Sequence, residues 1–155
     1  MIENNAAPAP DLLALESQVC FALAVASRRV IALYRPLLEP MDLTHPQYLV
    51  MLALWQHEPM TVRELATMLS LESATLSPLL KRLEATGYLT RPRHPEDERA
   101  LQVALTDNGR KLRQRALDIP PAVMGRLDMS IDELQDLHRR LTDVIKQATD
   151  AAAAE

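Results

Sequence analysis

Residues 61–105 decide the fold, and they read TVRELATMLSLESATLSPLLKRLEATGYLTRPRHPEDERALQVAL. Thr61 and Glu64 have the spacing of a capping box, in which each side chain caps the other's backbone amide, so a short helix begins here. A tight four-residue step leads to a second helix, which Gly87 ends. Two short helices joined in this way predict a helix-turn-helix.

After Gly87 the apolar period changes from that of a helix to that of a strand. Residues 88–91 and 101–105 alternate as two strands, and the polar, proline-rich stretch PRHPEDER lies between them. We therefore expect a β-hairpin with a long charged tip. A hairpin that follows a helix-turn-helix is typical of a winged-helix lobe, which places one helix in the DNA major groove and the hairpin beside it.

The start of the second short helix has two interpretations. Ser77 followed by Pro78 fits an N-cap with proline at the first helical position. A start at Ser73 would instead place the proline inside the helix.

Helical periodicity extends over both flanks of this lobe. Residues 11–38 carry a long apolar stripe, and Thr44 is placed to cap a second helix that ends near His57. Residues 106–150 carry further helices, which the Pro120-Pro121 pair is expected to interrupt. A lobe of about 45 residues cannot cover these stripes alone, so we expect a homodimer.

The predicted architecture is mainly α with a small β-hairpin. Residues 1–10 are expected to form a flexible tail, and residues 11–155 a single domain. Within it, the winged lobe of residues 61–105 is joined to a helical dimerisation region of residues 11–38 and 106–150.

Composition narrows the function. The chain of 155 residues has a net charge of −4, so DNA binding must depend on a local basic patch rather than a global field. Three glycines and no nucleophile–base pair argue against an enzyme, and no cofactor or metal ligand set is expected. One cysteine excludes an intrachain disulfide and favours a reducing, cytoplasmic location. No apolar run is long enough to cross a membrane.

Two surfaces are candidates for contact with double-stranded DNA. One is the face of the second short helix left after its leucines are buried, and the other is the wing, where Arg99 is singled out and Asp97 can orient its guanidinium. Residues 73–99 hold five cations and four anions, so an ordinary solvated surface is the competing interpretation. The candidates are Ser73, Ala74, Thr75, Ser77, Pro78, Lys81, Arg82, Arg91, Arg93, Asp97 and Arg99.

Several stretches carry a resemblance to a known family. LESQVCFALAVASR, YRPLLEPMDLTHPQYLVMLALW, LESATLSPLLKRLEATGYLTRPRHPEDER, LTDNG and ALDIP resemble the MarR family of winged-helix regulators over almost the whole chain, and within it the organic-hydroperoxide-sensing OhrR branch. The resemblance implies a homodimer with intertwined first and last helices. It also implies a recognition helix that begins at Ser73 in spite of Pro78.

The resemblance changes the interpretation of Cys20. A lone helical cysteine with no cation within one turn is typical of an inert core residue. In the OhrR branch this cysteine is the peroxide sensor, and two tyrosines of the partner subunit hydrogen-bond to it. Tyr34 matches one of them and His45 replaces the other. Because Tyr34 lies roughly 21 Å from Cys20 along one helix, the two can meet only across an antiparallel dimer.

These observations predict a repressor that leaves a pseudo-palindromic operator when an organic hydroperoxide oxidises Cys20. The product would be a sulfenic acid, a sulfenamide or a mixed disulfide with a low-molecular-weight thiol. His45 would accept from the thiol, stabilise a thiolate, or lie in solvent near its helix cap. The alternatives are a MarR-type repressor of a small phenolic or aromatic ligand with Cys20 structural, a metal sensor, and a winged-helix adaptor that does not bind DNA.

Overall fold

The computed structural model describes residues 9–93, 95–97 and 101–155, so residues 1–8 of the predicted tail lie outside it. The chain divides into two compact units, Met1–Arg113 and Gln114–Glu155. The described residues are mainly helical with a small antiparallel sheet, which confirms the predicted fold class. The helices are α1 (Val19–Leu38), α2 (His45–His57), α3 (Val62–Met68), α4 (Ser73–Thr86), α5 (Asp107–Ala116), α6 (Ile119–Leu127) and α7 (Ile131–Ala153), and the strands are β1 (Met60–Thr61), β2 (Leu89–Thr90) and β3 (Gln102–Leu105).

In the part of the chain that the structure describes, three helices begin at reciprocal capping boxes. Thr61 caps α3 and receives the side chain of Glu64 in return, with N–O distances of 3.1 and 2.9 Å. Ser130 caps α7 in the same way. Thr44 caps α2 as predicted, and Gln47 completes a box that the sequence pattern did not identify. Each box satisfies backbone donors that a helix start leaves unpaired.

The recognition helix α4 begins at Ser73, so the start at Ser77 and Pro78 is wrong and the one implied by the resemblance is confirmed. Pro78 removes one intrahelical hydrogen bond. Leu76, Leu80 and Leu83 lie on both sides of the proline and are almost completely buried. Their packing outweighs the lost bond and keeps the helix continuous.

One other boundary differs from the predictions, and one agrees. The first α-helix begins at Val19 rather than near residue 11, because Gln18 has extended backbone angles after a 3₁₀ turn at Leu15–Ser17. The interruption predicted at Pro120 and Pro121 is confirmed, since α5 ends at Ala116 and α6 begins at Ile119. Both prolines lie in the first turn of α6, where a missing N–H costs nothing.

The sheet has the strand order β1-β3-β2 with antiparallel pairs. The predicted hairpin is present as β2 and β3, with Leu89 opposite Leu105, while β1 was not predicted. In β1, Met60 pairs with Val103 and turns its buried side chain into the core. The core of the first unit lies between α2, α3, α4 and this sheet, which fixes α4 relative to the wing.

Large apolar side chains remain exposed on the first and last long helices. α1 buries only Leu38, and α7 buries no side chain. Val19 is 68% exposed and Ile145 is 63% exposed. None of the helices among the described residues is long and apolar enough to span a membrane.

Candidate functional site

The outer face of α4 presents small residues followed by two cations. Its opposite face is held in the core by three leucines, so the orientation of the helix is fixed. Small side chains in the first two turns allow a helix to approach base edges closely, and cations further along can reach phosphates. All seven candidates on this helix are exposed: Ser73, Ala74, Thr75, Ser77, Pro78, Lys81 and Arg82.

The wing candidates differ in their surroundings. Arg93 is exposed and forms a bridge with Leu101, which extends the hairpin beyond β2 and β3. Asp97 is exposed at the tip, and Arg99 lies outside the described residues, so the structure does not describe the expected pair. Arg91 is half-buried at the foot of the wing. Its Nε donates to the Glu84 carboxylate of α4 at 2.5 Å, so its charge already has a partner.

A second set of contacts holds the base of the wing. Glu58, at the end of α2, accepts the backbone N–H of Leu105 at 2.8 Å and the Nε of Arg110 at 2.7 Å. The hydrogen bond and the charge of Glu58 raise the pKa of Arg110. Trp55 donates from its indole nitrogen to the carbonyl of Gly109 at 2.8 Å. These bonds join residues 47 to 54 positions apart, and no local pattern could have identified them.

The LTDNG stretch at residues 105–109 forms the other half of this base. The Thr106 hydroxyl donates to the Gly87 carbonyl at 2.6 Å and accepts the N–H of Gly109 at 3.0 Å. Gly109 lies directly against the backbone of Tyr88, where a Cβ atom would be only 2.0 Å from the carbonyl oxygen. The start of α5 is therefore fixed to the end of the recognition helix.

Cys20 is exposed at the second position of α1. The structure places the other two predicted sensor residues together, with the rings of Tyr34 and His45 edge to face at 4.8 Å. Tyr48, which is 4% exposed, completes the cluster from α2, 5.9 Å from Tyr34 and 6.3 Å from His45. Sequence reasoning missed Tyr48, although its spacing of one turn from His45 places both on one helix face.

The environment of His45 favours a neutral ring. His45 is the first residue of α2 and is half-buried against two tyrosines, so it does not lie free in solvent. Burial lowers its pKa below the ordinary value of 6.5. A neutral imidazole has one acceptor nitrogen and one N–H donor. Burial also raises the pKa of Tyr48, with a smaller effect from Tyr34.

A cavity of about 420 Å³ lies beside this cluster, between α1 and the loop that leads to α2. Arg28 and Arg35 line it from α1, with Ile31 between them and Glu39 at the end. Leu43 and the sensor-cluster residue His45 complete the opposite wall, among others. Among the described residues, no group of three or more histidine, cysteine or acidic side chains is arranged to hold a metal.

A helix-turn-helix with an exposed recognition face and a β-hairpin wing defines a winged-helix regulator. Residues 43–101 match the model of the MarR family. The chain is 41% identical over 136 residues to the organic hydroperoxide resistance transcriptional regulator of Bacillus subtilis, covering 88% of this chain and 92% of the relative. The chain belongs to the MarR family and is a transcriptional regulator of that type.

Solved structures agree with this assignment. AbfR of Staphylococcus epidermidis matches with a TM-score of 0.74 and 33% identity, over 88% of this chain and 94% of that one. A structure of reduced AbfR bound to DNA matches with a TM-score of 0.72 and 33% identity, over 87% of this chain and 94% of that one.

Proposed function

We propose that the protein is a homodimeric repressor that leaves its operator when an organic hydroperoxide oxidises Cys20. The observation that carries the proposal is the ring contact between Tyr34 and His45 at 4.8 Å, on a chain whose cysteine is exposed on the same helix as Tyr34. The axial separation of roughly 21 Å means that Cys20 and Tyr34 of one copy cannot contact each other. Two antiparallel copies would bring Cys20 of each copy to Tyr34 and His45 of the other, which forms two sites.

The exposed apolar residues of α1 and α7 support the homodimer. Monomeric proteins seldom expose contiguous apolar surface over long helices, because covering it stabilises by about 25 cal/mol per Å². Phe21 and Leu23 of α1 are 42% and 37% exposed, and Val144 and Ile145 of α7 are 47% and 63% exposed. A second copy of this chain is the partner that carries matching stripes.

The operator surface consists of the exposed face of α4 together with Arg93, Asp97 and Arg99 of the wing. A two-fold symmetric dimer presents two such surfaces, so the operator would be pseudo-palindromic, with half-sites about one helical turn apart. The solved structure of reduced AbfR bound to DNA supports DNA binding by a similar protein. The single cysteine is consistent with action in the reducing cytoplasm.

The sensing reaction starts when the Cys20 thiolate attacks one peroxide oxygen. An S–O bond forms, the O–O bond breaks and the alkoxide that leaves takes up the proton that the thiol had released, so sulfur is oxidised by two electrons and the peroxide is reduced to an alcohol. The sulfenic acid then condenses with a small thiol, releasing water and giving a mixed disulfide. Tyr34 and His45 of the other copy would hold the thiol before reaction and would have to move afterwards to accommodate the larger group.

The test is a gel shift on the DNA upstream of the protein's own gene, with and without cumene hydroperoxide. Cys20→Ser keeps the size of the side chain but cannot be oxidised in this way. We expect the variant to bind like the wild type and to stay bound, whereas the wild type is released. Release of the serine variant would exclude Cys20 as the sensor. Retention of both proteins on DNA would refute peroxide sensing and leave the repressor assignment intact.

The cavity beside the sensor cluster favours one second candidate, a MarR-type repressor released by a small aromatic acid. Arg28 and Arg35 line this cavity, and neither forms an ion pair with a carboxylate of the described residues. Guanidinium groups suit a carboxylate ligand. Release of Cys20→Ser by benzoate, and its loss in the Arg28→Gln variant, would support this candidate.

A further inference from the structure

One hydrogen bond joins the end of the recognition helix to the loop that carries the sensor ring. Tyr88 follows Gly87, the residue that ends α4, and its hydroxyl donates to the carbonyl of Met41 at 2.8 Å. Met41 closes the 3₁₀ turn between α1 and α2, four residues before His45. The bond spans 47 positions of sequence, so it links two separate parts of the first unit, Met1–Arg113.

The loop end of this bond is firmly held. Met41 is only 3% exposed, and the next residue, Asp42, has a left-handed backbone with φ of 55°. The N–H of Leu43 donates back to the carbonyl of Leu38, the last residue of α1, at 3.2 Å. A loop folded this tightly moves with the helix ends that it joins. Displacement of Tyr34 or His45 would therefore displace the Met41 carbonyl.

The other end of the bond is equally well held. The backbone N–H of Tyr88 donates to Leu83 of α4 at 3.0 Å, and its carbonyl accepts the N–H of Thr106 at 3.0 Å. The side chain therefore extends from a point where the recognition helix and the wing are bonded together. A displacement of the hydroxyl would therefore act on both α4 and the wing.

We propose that Tyr88 is a positioning residue that transmits the state of the sensor cluster to the recognition helix. In the reduced protein, the bond to Met41 holds α4 and the wing in the orientation that fits the operator. When oxidation displaces the sensor cluster, the loop carries the bonded tyrosine with it, and α4 turns out of register with the DNA. This proposal concerns the regulation of the site described above, and it rests on the proposed function.

The test uses Tyr88→Phe in the full-length protein, because this change removes the hydroxyl and keeps the ring. DNA affinity is measured by fluorescence anisotropy on the upstream DNA before and after cumene hydroperoxide, and Cys20 oxidation is followed by mass spectrometry. A neutral hydrogen bond of ordinary net strength corresponds to about a fivefold change in an equilibrium constant. We expect unchanged oxidation of Cys20, and a ratio of oxidised to reduced Kd about fivefold smaller than that of the wild type.

Thr86→Val is the matched control, because among the described residues the Thr86 hydroxyl bonds only within α4, to the carbonyl of Arg82 at 2.9 Å. Its Kd ratio should equal that of the wild type. A wild-type ratio in Tyr88→Phe would overturn the proposal, as would equal weakening of DNA binding in both redox states. A ratio of one in the wild type itself would refute peroxide sensing and the coupling with it, and this outcome needs no variant to be seen.

Discussion

Gly109→Ala is expected to destabilise the protein by disturbing the base of the wing. A Cβ atom at this position would lie 2.0 Å from the carbonyl oxygen of Tyr88 and 3.0 Å from its carbonyl carbon. Both are backbone atoms, so no side chain can rotate to relieve the clash. The start of α5 must move away from Tyr88 by about an ångström, and the bonds of residue 109 to Trp55 and Thr106 must stretch or break.

The magnitude follows from these contacts. Overpacking a tight site costs about 1–3 kcal/mol, and each hydrogen bond lost costs about 1 kcal/mol. Alanine in a helix recovers about 0.5–1 kcal/mol relative to glycine. The net loss of unfolding free energy is therefore about 2–4 kcal/mol. At about 2–4 °C per kcal/mol for a chain of this size, the thermal midpoint should fall by roughly 10 °C.

Circular dichroism melts at one fixed protein concentration provide the assay, because the midpoint of a dimer depends on concentration. Gly125→Ala is the control, since Gly125 lies inside α6 and a Cβ atom added there would meet nothing within 4 Å. That variant should melt at or slightly above the wild-type midpoint. A wild-type midpoint for Gly109→Ala would refute the close contact between α5 and Tyr88.

Three further predictions concern charge, pH and assembly. Arg93→Gln should lower the salt dependence of DNA binding by about one ion, whereas Arg91→Gln should leave that slope unchanged because Glu84 already pairs with Arg91. Equal slopes for the two variants would contradict this distinction. Because burial lowers the pKa of His45, the unfolded chain protonates this residue at a higher pH than the folded protein does. The stability that the buried neutral ring contributes is therefore fully present above pH 6.5 and is lost as the pH falls below it. Urea titrations at several pH values should show that the unfolding free energy of His45→Gln falls less below pH 6.5 than that of the wild type. An equal fall in both proteins would assign the loss to other groups. Ile145→Asp buries a charge in the proposed interface, and sedimentation should detect monomers at micromolar concentration. A dimer that persists would move the interface away from α7.

Local patterns predicted the helix starts well. A capping box needs only residues within one turn, so Thr61 and Ser130 identify α3 and α7 from the sequence alone. The Ser77-Pro78 pattern is equally local, and it failed because tertiary packing decided the outcome. Leucines on both sides of the proline gain more by burial in one continuous helix than a new cap at Ser77 would supply.

Contacts between distant residues could not be predicted. β1 has two residues, too few for an alternating pattern, and it exists because Met60 pairs with Val103 across the sheet. Glu58 and Tyr88 act through partners about fifty positions away, so neither has a sequence pattern. The exposed face of α4 was predictable, because it lies opposite a stripe of leucines whose helical spacing is visible in the sequence.

The replacement of a phenol by His45 changes what the proposed thiol site can do. A phenol O–H donates a hydrogen bond to sulfur, so two phenols would offer two hydrogen-bond donors to a thiolate. Tyr34 keeps one such donor, while the lowered pKa of His45 leaves a neutral ring with an acceptor nitrogen. An acceptor suits the protonated thiol, which has one proton to give. The proton of Cys20 can therefore pass to His45 of the other copy before sulfur attacks the peroxide, and Tyr34 can donate a hydrogen bond to the thiolate so formed. The protonated ring can then return the proton to the alkoxide that leaves.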